Sequence, residues 1–194
     1  MNATASSLFS RSAALLASPF PLDAPMRREP RGVARIAVVG GESTGKSTLV
    51  QALGERYGEP CVAEYGRTLW EERRGQLAYD DLRAIGVRHV ADEDDALARA
   101  TRGAFVDTTP LTTLWYSIDG YGKADPELVG LSWRQYDLTL VCAPDFPFVQ
   151  DGSRSSDDFR LRHDRWIRAT LAARGVDFVD VRGPIAARVA QVAA

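Results

Sequence analysis

Residues 34–47 read Ala34-Arg-Ile-Ala-Val-Val-Gly-Gly-Glu-Ser-Thr-Gly-Lys-Ser47, and this stretch decides the fold. Its first six residues, ARIAVV, are apolar enough to face a core on both sides, as a central parallel strand must be. Gly40-Gly41-Glu42-Ser43-Thr44-Gly45-Lys46-Ser47 then matches the phosphate-loop spacing G-x-x-x-x-G-K-[ST]. A helical pattern follows from Lys46 to about Tyr57, with Leu49, Leu53 and Tyr57 on one stripe. Strand, glycine loop and helix in that order are the context the motif needs. Glycines let successive backbone N–H groups converge on a β-phosphate at a helix N-terminus, where the dipole favours negative charge. Lys46 is expected to reach the β- and γ-phosphates and the Ser47 hydroxyl to ligate Mg²⁺, with Thr48 completing the nucleotide contacts.

Strand and helix patterns alternate through the rest of the chain. Short strands are expected at Cys61 to Glu64, Ala104 to Asp107, Leu138 to Ala143 and Asp177 to Val181. Helices are expected from Arg67 to Arg74, from an Asp80 cap to about Ala100, and from Pro110-Leu111. Others start at Asp125-Pro126-Glu127, at Ser155-Ser156 running to about Arg174, and at Pro184. The alternation predicts an α/β fold: one phosphate-loop NTPase domain with a five-stranded, mostly parallel sheet flanked by helices. Residues 1–32 read as a flexible N-terminal extension ahead of a folded domain at 33–194, and as a signal peptide they are poor, with Arg11 alone before a weak apolar stretch.

The 194 residues carry 24 Lys+Arg against 26 Asp+Glu, a formal net charge of -2, so no basic footprint for nucleic acid or an anionic membrane stands out. Twenty-two of the 24 cations are arginine; the lysines are Lys46 and Lys123. Codon bias accounts for the arginines, while a compact ammonium between phosphates accounts for Lys46. Two cysteines are too few for a disulfide framework, so Cys61 and Cys142 read as core packing in a reducing, cytoplasmic setting.

GTPases read guanine with an Asn-Lys-x-Asp element, which this sequence lacks, so ATP is the expected nucleotide. A small kinase needs a carboxylate by the acceptor hydroxyl and cations on the transferring group. Glu64 and Asp107 end the second and third predicted strands, where side chains face the ligand crevice. The competing reading makes each a helix cap or an arginine partner. Arg154, Arg160 and Arg162 follow a Pro- and Gly-containing loop where a closing lid would stand; a solvated helix face is the alternative for the last two. The aromatics Tyr65, Trp70, Trp115 and Tyr116 fall near the carboxylates in sequence and suit either a core or a flat cationic ring.

GGESTGKSTLVQALGERYG, VAEYGRTLWEER, FVDTTPLTT and PDFPFVQDGSR, in that order, resemble the ribosylnicotinamide kinase domain of bacterial NadR-type NAD-biosynthesis regulators, from about Arg35 to about Arg188. The resemblance implies a small-molecule activity: ATP and Mg²⁺ would be used to phosphorylate the ribose 5′-hydroxyl of nicotinamide riboside. It implies that Glu64 is the base and that Arg67 contacts phosphate or substrate. Asp107 would lie near Mg²⁺ or the ribose, Trp70 and Tyr116 would sandwich the nicotinamide with Tyr65 alongside, and Asp151 with Arg154 would begin the lid. The chain departs from the family pattern in carrying Thr109 where an acid stands, which leaves Asp107 alone in that block. His89 and His163 are its only histidines, so it holds no His-x-Gly-His adenylyltransferase signature. A kinase for another nucleoside or small alcohol, and an ATP-dependent switch without a small acceptor, remain the alternatives.

Overall fold

Alternation along the first strand builds a sheet with two covered faces. In the computed structural model, which describes residues 32–147 and 156–192, strand β1 spans Ala34–Val39. Its Ile36 and Val38 pack on one side with Leu49, Val50 and Leu53, while Ala37 and Val39 pack on the other with Leu114, Trp115 and Ile167. Helix α1 (Lys46–Tyr57) follows, then β2 (Cys61–Val62), α2 (Tyr65–Glu72) and α3 (Tyr79–Arg99). Next come β3 (Gly103–Asp107), α4 (Pro110–Tyr121), α5 (Pro126–Leu131) and β4 (Leu138–Cys142), and then α6 (Asp157–Ala173), β5 (Val179–Val181) and α7 (Ile185–Val192). All strand pairs are parallel, in the order β2-β3-β1-β4-β5.

That order decides which helices lie where. The β1-to-β2 crossover runs towards one edge of the sheet and every later crossover runs the other way. Right-handed crossovers therefore put α1 on one face and α3 to α6 on the opposite face. Helix α7 packs back beside α1. Direction reverses at β1, where a ligand crevice opens beyond the carboxyl ends of the strands. The register sets Asp107 beside Val38, two residues before Gly40.

Several boundaries differ from the sequence expectation. β2 stops at Val62, and Glu64 becomes the N-cap residue of α2 without a side-chain capping bond. Cys61 is exposed because β2 is an edge strand, although its Sγ lies 3.2 Å from the Val50 carbonyl; only Cys142 is core. Helix α3 starts one residue before Asp80, and it is Asp81 that accepts the Ala78 N–H at 2.8 Å. The Asp125 and Ser156 starts stand: Asp125 accepts from the N–H of Glu127 (2.9 Å) and of Leu128 (3.2 Å), and Ser156 from that of Phe159 (3.1 Å).

Candidate functional site

The loop between β1 and α1 is held by packing from three sides. Gly40 has φ 143°, a conformation for glycine, and a Cβ there would stand 2.8 Å from the Cys142 carbonyl oxygen. A Cβ at Gly41 would stand 2.6 Å from the Arg160 carbonyl, so the loop lies directly on α6. Thr44 Oγ1 donates to the Gly41 carbonyl at 2.9 Å, and Lys46 Nζ donates to the same oxygen at 2.8 Å. Arg188 of α7, fully buried, clamps the loop from below. It donates to the carbonyls of Thr44 (2.7 Å), Ala143 (3.2 Å) and Gly183 (2.8 Å) and pairs with Asp145.

Beyond the loop opens a cleft of about 490 Å³. Glu42, Ser43, Thr44, Gly45, Lys46, Ser47 and Thr48 line one wall. Glu64, Tyr65, Arg67 and Trp70 line another, and Tyr116 of α4 a third. Gly40 and Gly41 are buried beneath. Asp107 is buried at the end of β3, and its Oδ1 has no hydrogen-bond partner among the described residues. Asp151 and Arg154 lie outside the described residues.

Charge is concentrated around Glu64. Withdrawal from solvent pushes its carboxyl above the ordinary carboxylate value; Lys46 and Arg67 pull it down, while Asp107 and Glu42 push it further up. A raised carboxyl is a better proton acceptor near neutral pH. The Tyr116 hydroxyl donates to Glu42 at 3.2 Å, and burial with the charges of Glu64 and Glu42 holds it well above the ordinary phenol value. Phe159 stacks on Tyr116 at 5.8 Å. Thr108, next to Asp107, sits at φ 67°, an outlier for a β-branched residue, with its N–H donating to Val38 at 2.9 Å.

Some expectations resolve against the site. Trp115 belongs to the core, stacked between α4 and α6, and does not line the cleft. Arg162 pairs with Asp119 at 2.6 Å and with Asp158 at 3.2 Å, tying α6 to α4. Arg160 is buried, donating to the Phe146 carbonyl at 2.9 Å and pairing with Asp157 at 2.5 Å. Thr109 lines a different cavity, with Trp133 and Tyr136.

Two histidines went unassigned in the sequence and sit in the cleft wall. His89 of α3 stands 3.6 Å from the buried Glu93, and its Nε2 has no hydrogen-bond partner among the described residues. His163 of α6 stacks on Trp115. Each lies on a helical stripe of buried residues, Leu82-Ile85-His89-Glu93-Ala96 and Phe159-His163-Trp166-Ile167, and that periodicity is the signal that finds them. Among the described residues no group of three or more His, Cys, Asp or Glu side chains forms a metal cage. The buried, unpaired Asp107 oxygen and the exposed Ser47 hydroxyl are hard oxygen donors, which fits Mg²⁺ bound mainly through phosphates and water.

Known proteins share this architecture. The Salmonella typhimurium (strain LT2) trifunctional NAD biosynthesis/regulator protein NadR is 31% identical over 165 residues, 81% of this chain. The chain spans 40% of that relative's length. A NadR crystal structure in complex with NR superposes with a TM-score of 0.64 at 23% identity, covering 78% of this chain and 46% of that one. Thymidylate kinase from Ehrlichia chaffeensis superposes with a TM-score of 0.55 at 18% identity, covering 84% and 98%. A family model described as an AAA domain matches residues 35–188, nearly the whole described fold. With that match and the phosphate loop at the switch point of a parallel sheet, the chain belongs to the AAA-domain family of phosphate-loop proteins and has the fold of the phosphate-loop kinases.

Proposed function

We propose that this chain is an ATP- and Mg²⁺-dependent kinase that transfers a phosphoryl group to the ribose 5′-hydroxyl of nicotinamide riboside, giving nicotinamide mononucleotide. The observation that carries the reading is one cleft lined by both Lys46 and Glu64, whose charges act on each other, with Trp70 and Tyr116 in its walls. On this reading Lys46 exchanges the Gly41 carbonyl for the β- and γ-phosphates when nucleotide enters. Ser47 and Asp107 would hold Mg²⁺, which when bound neutralises charge on those phosphates. Glu64 accepts the hydroxyl proton and aligns the attacking oxygen, and Arg67 steadies the negative charge beside it. Tyr65, Trp70 and Tyr116 line the one cleft, Tyr116 backed by Phe159, and offer aromatic surface on which a planar ring would stack. The carboxylates of Glu42 and Glu64 line the same cleft as these rings and bring negative charge that suits a pyridinium.

An ADP-release assay over a panel of ribosides tests the proposal. Nicotinamide riboside should be the preferred acceptor and its reduced, neutral form a poor one. Equal use of both forms moves the acceptor to another nucleoside. Hydrolysis unaffected by every riboside removes the kinase reading in favour of an ATP-dependent switch.

A further inference from the structure

His163 is a polar residue of the cleft wall that the reaction above leaves unused. It is 1% exposed, lies flat against Trp115 (5.4 Å between ring centres, 8° between planes) and stands at 67° to Tyr116, 5.6 Å away. Neither Nδ1 nor Nε2 has a hydrogen-bond partner among the described residues, yet the ring lines the same cleft as Lys46, Glu64 and Thr112. A neutral imidazole carries one donor and one acceptor, and leaving both unpaired in a buried place costs free energy that a phenylalanine would not incur. The aromatic stack therefore accounts for the ring and not for its nitrogens. Nor is His163 alone: Thr108 and Thr112, from the end of β3 and from α4, also line the cleft with buried, unpartnered hydroxyls. His163, Thr108 and Thr112 thus each bring unpaired, uncharged hydrogen-bonding groups to the lining of the one cleft.

The charge on the missing partner follows from the surroundings. Burial, and then the Lys46 ammonium, hold the imidazole neutral, its pKa well below the ordinary value. An anion arriving there would be drawn to Lys46 in preference to an uncharged ring. We propose that His163 hydrogen-bonds an uncharged polar group of the acceptor, a carboxamide or a ribose hydroxyl, and is a specificity-determining residue of the cleft. The inference rests on the riboside-kinase reading.

The test compares the full chain with His163→Phe, which keeps a flat ring, and His163→Gln, which keeps a donor and an acceptor. Thermal unfolding confirms that each folds, and His163→Met replaces the Phe variant if that one does not. The acceptors are nicotinamide riboside and nicotinic acid riboside, and ATP affinity is measured by calorimetry. Loss of the polar atoms should raise the KM for nicotinamide riboside roughly 10- to 100-fold, with ATP affinity within about 2-fold and partial recovery in the Gln variant. A carboxamide partner shows as a narrowed preference between the two ribosides, and a ribose hydroxyl as equal loss for both. An unchanged riboside KM, or an effect confined to ATP binding, overturns the inference while leaving the kinase reading intact. Failure of the unaltered protein to bind or phosphorylate any riboside overturns both.

Discussion

At the scale of single residues, the cleft is a set of opposed charges with one carboxyl at its centre. Replacing Lys46 with Met should abolish turnover in a protein that still folds, because among the described residues its ammonium donates to the Gly41 carbonyl and otherwise faces the cleft charges. Glu64→Gln should lower kcat by about 10²- to 10⁴-fold if the carboxylate takes the proton. The pH dependence has a definite sign. A base works when deprotonated, so with Glu64 in that role kcat/KM should fall as pH drops through its pKa, which burial places above the ordinary carboxylate value of about 4.3. Because Asp107 pushes that pKa up, Asp107→Asn should move the acid limb to lower pH; a limb that stays in place shows that another group titrates. The histidines give stability a pH dependence of its own. Burial lowers the pKa of both His89 and His163, so the unfolded chain takes up their protons first, and stability is lost as pH falls below about 6.5. The melting temperature should therefore drop between pH 7.5 and 5.5, with a shallower drop in His163→Phe.

At the scale of elements, the last helix reaches back to fix the first loop. Arg188 of α7 joins the phosphate loop, the end of β4 and the β5–α7 turn through one planar guanidinium. Its removal leaves Asp145 without that partner and three carbonyls without a donor, so Arg188→Ala should cost about 3–5 kcal/mol in urea unfolding. It should also weaken ATP binding, since Thr44 loses its anchor. Arg188→Lys should rescue little, because an ammonium cannot span the same fork of acceptors. Helix α6 supports the loop from the other side at Gly41, where even an alanine meets the Arg160 backbone.

At the scale of the whole molecule, a buried ion cluster joins segments that the sheet alone does not hold. Glu93 of α3, fully buried, pairs with Arg134 (2.7 Å) and with Arg35 of β1 (3.4 Å) and accepts from the Tyr136 hydroxyl at 2.9 Å. Glu93→Ala removes the buried carboxylate shared by Arg35, Arg134 and Tyr136 and leaves the buried Arg35 with the largely exposed Asp94 at 3.3 Å, so a loss of about 3–5 kcal/mol is expected by chemical denaturation. His89, 3.6 Å from Glu93, also lines the cleft, so the surviving folded protein should also show a lower kcat. A kcat equal to that of the unaltered protein would confine the cluster to stability.

Legibility followed the range of the interactions. The β1–loop–α1 unit, the alternation of strands and helices, and the Asp125 and Ser156 caps are written in residues within a few positions of one another. Local spacing therefore determines them. Glu64 and Asp107 were legible as strand-end carboxylates, although β2 ends before Glu64 because an edge strand forms fewer bonds. What the tertiary structure alone decided is which distant groups meet. Tyr116 and Glu42 are 74 residues apart in the chain, and Arg188 and Thr44 are 144 apart. His163 reads as one more member of a buried helical stripe until α6 packs under the phosphate loop. A side chain's place on a stripe follows from helix geometry, but what stands opposite it follows from the order and register of the sheet. Those depend on burying both faces of β1 at once, a condition no local segment contains.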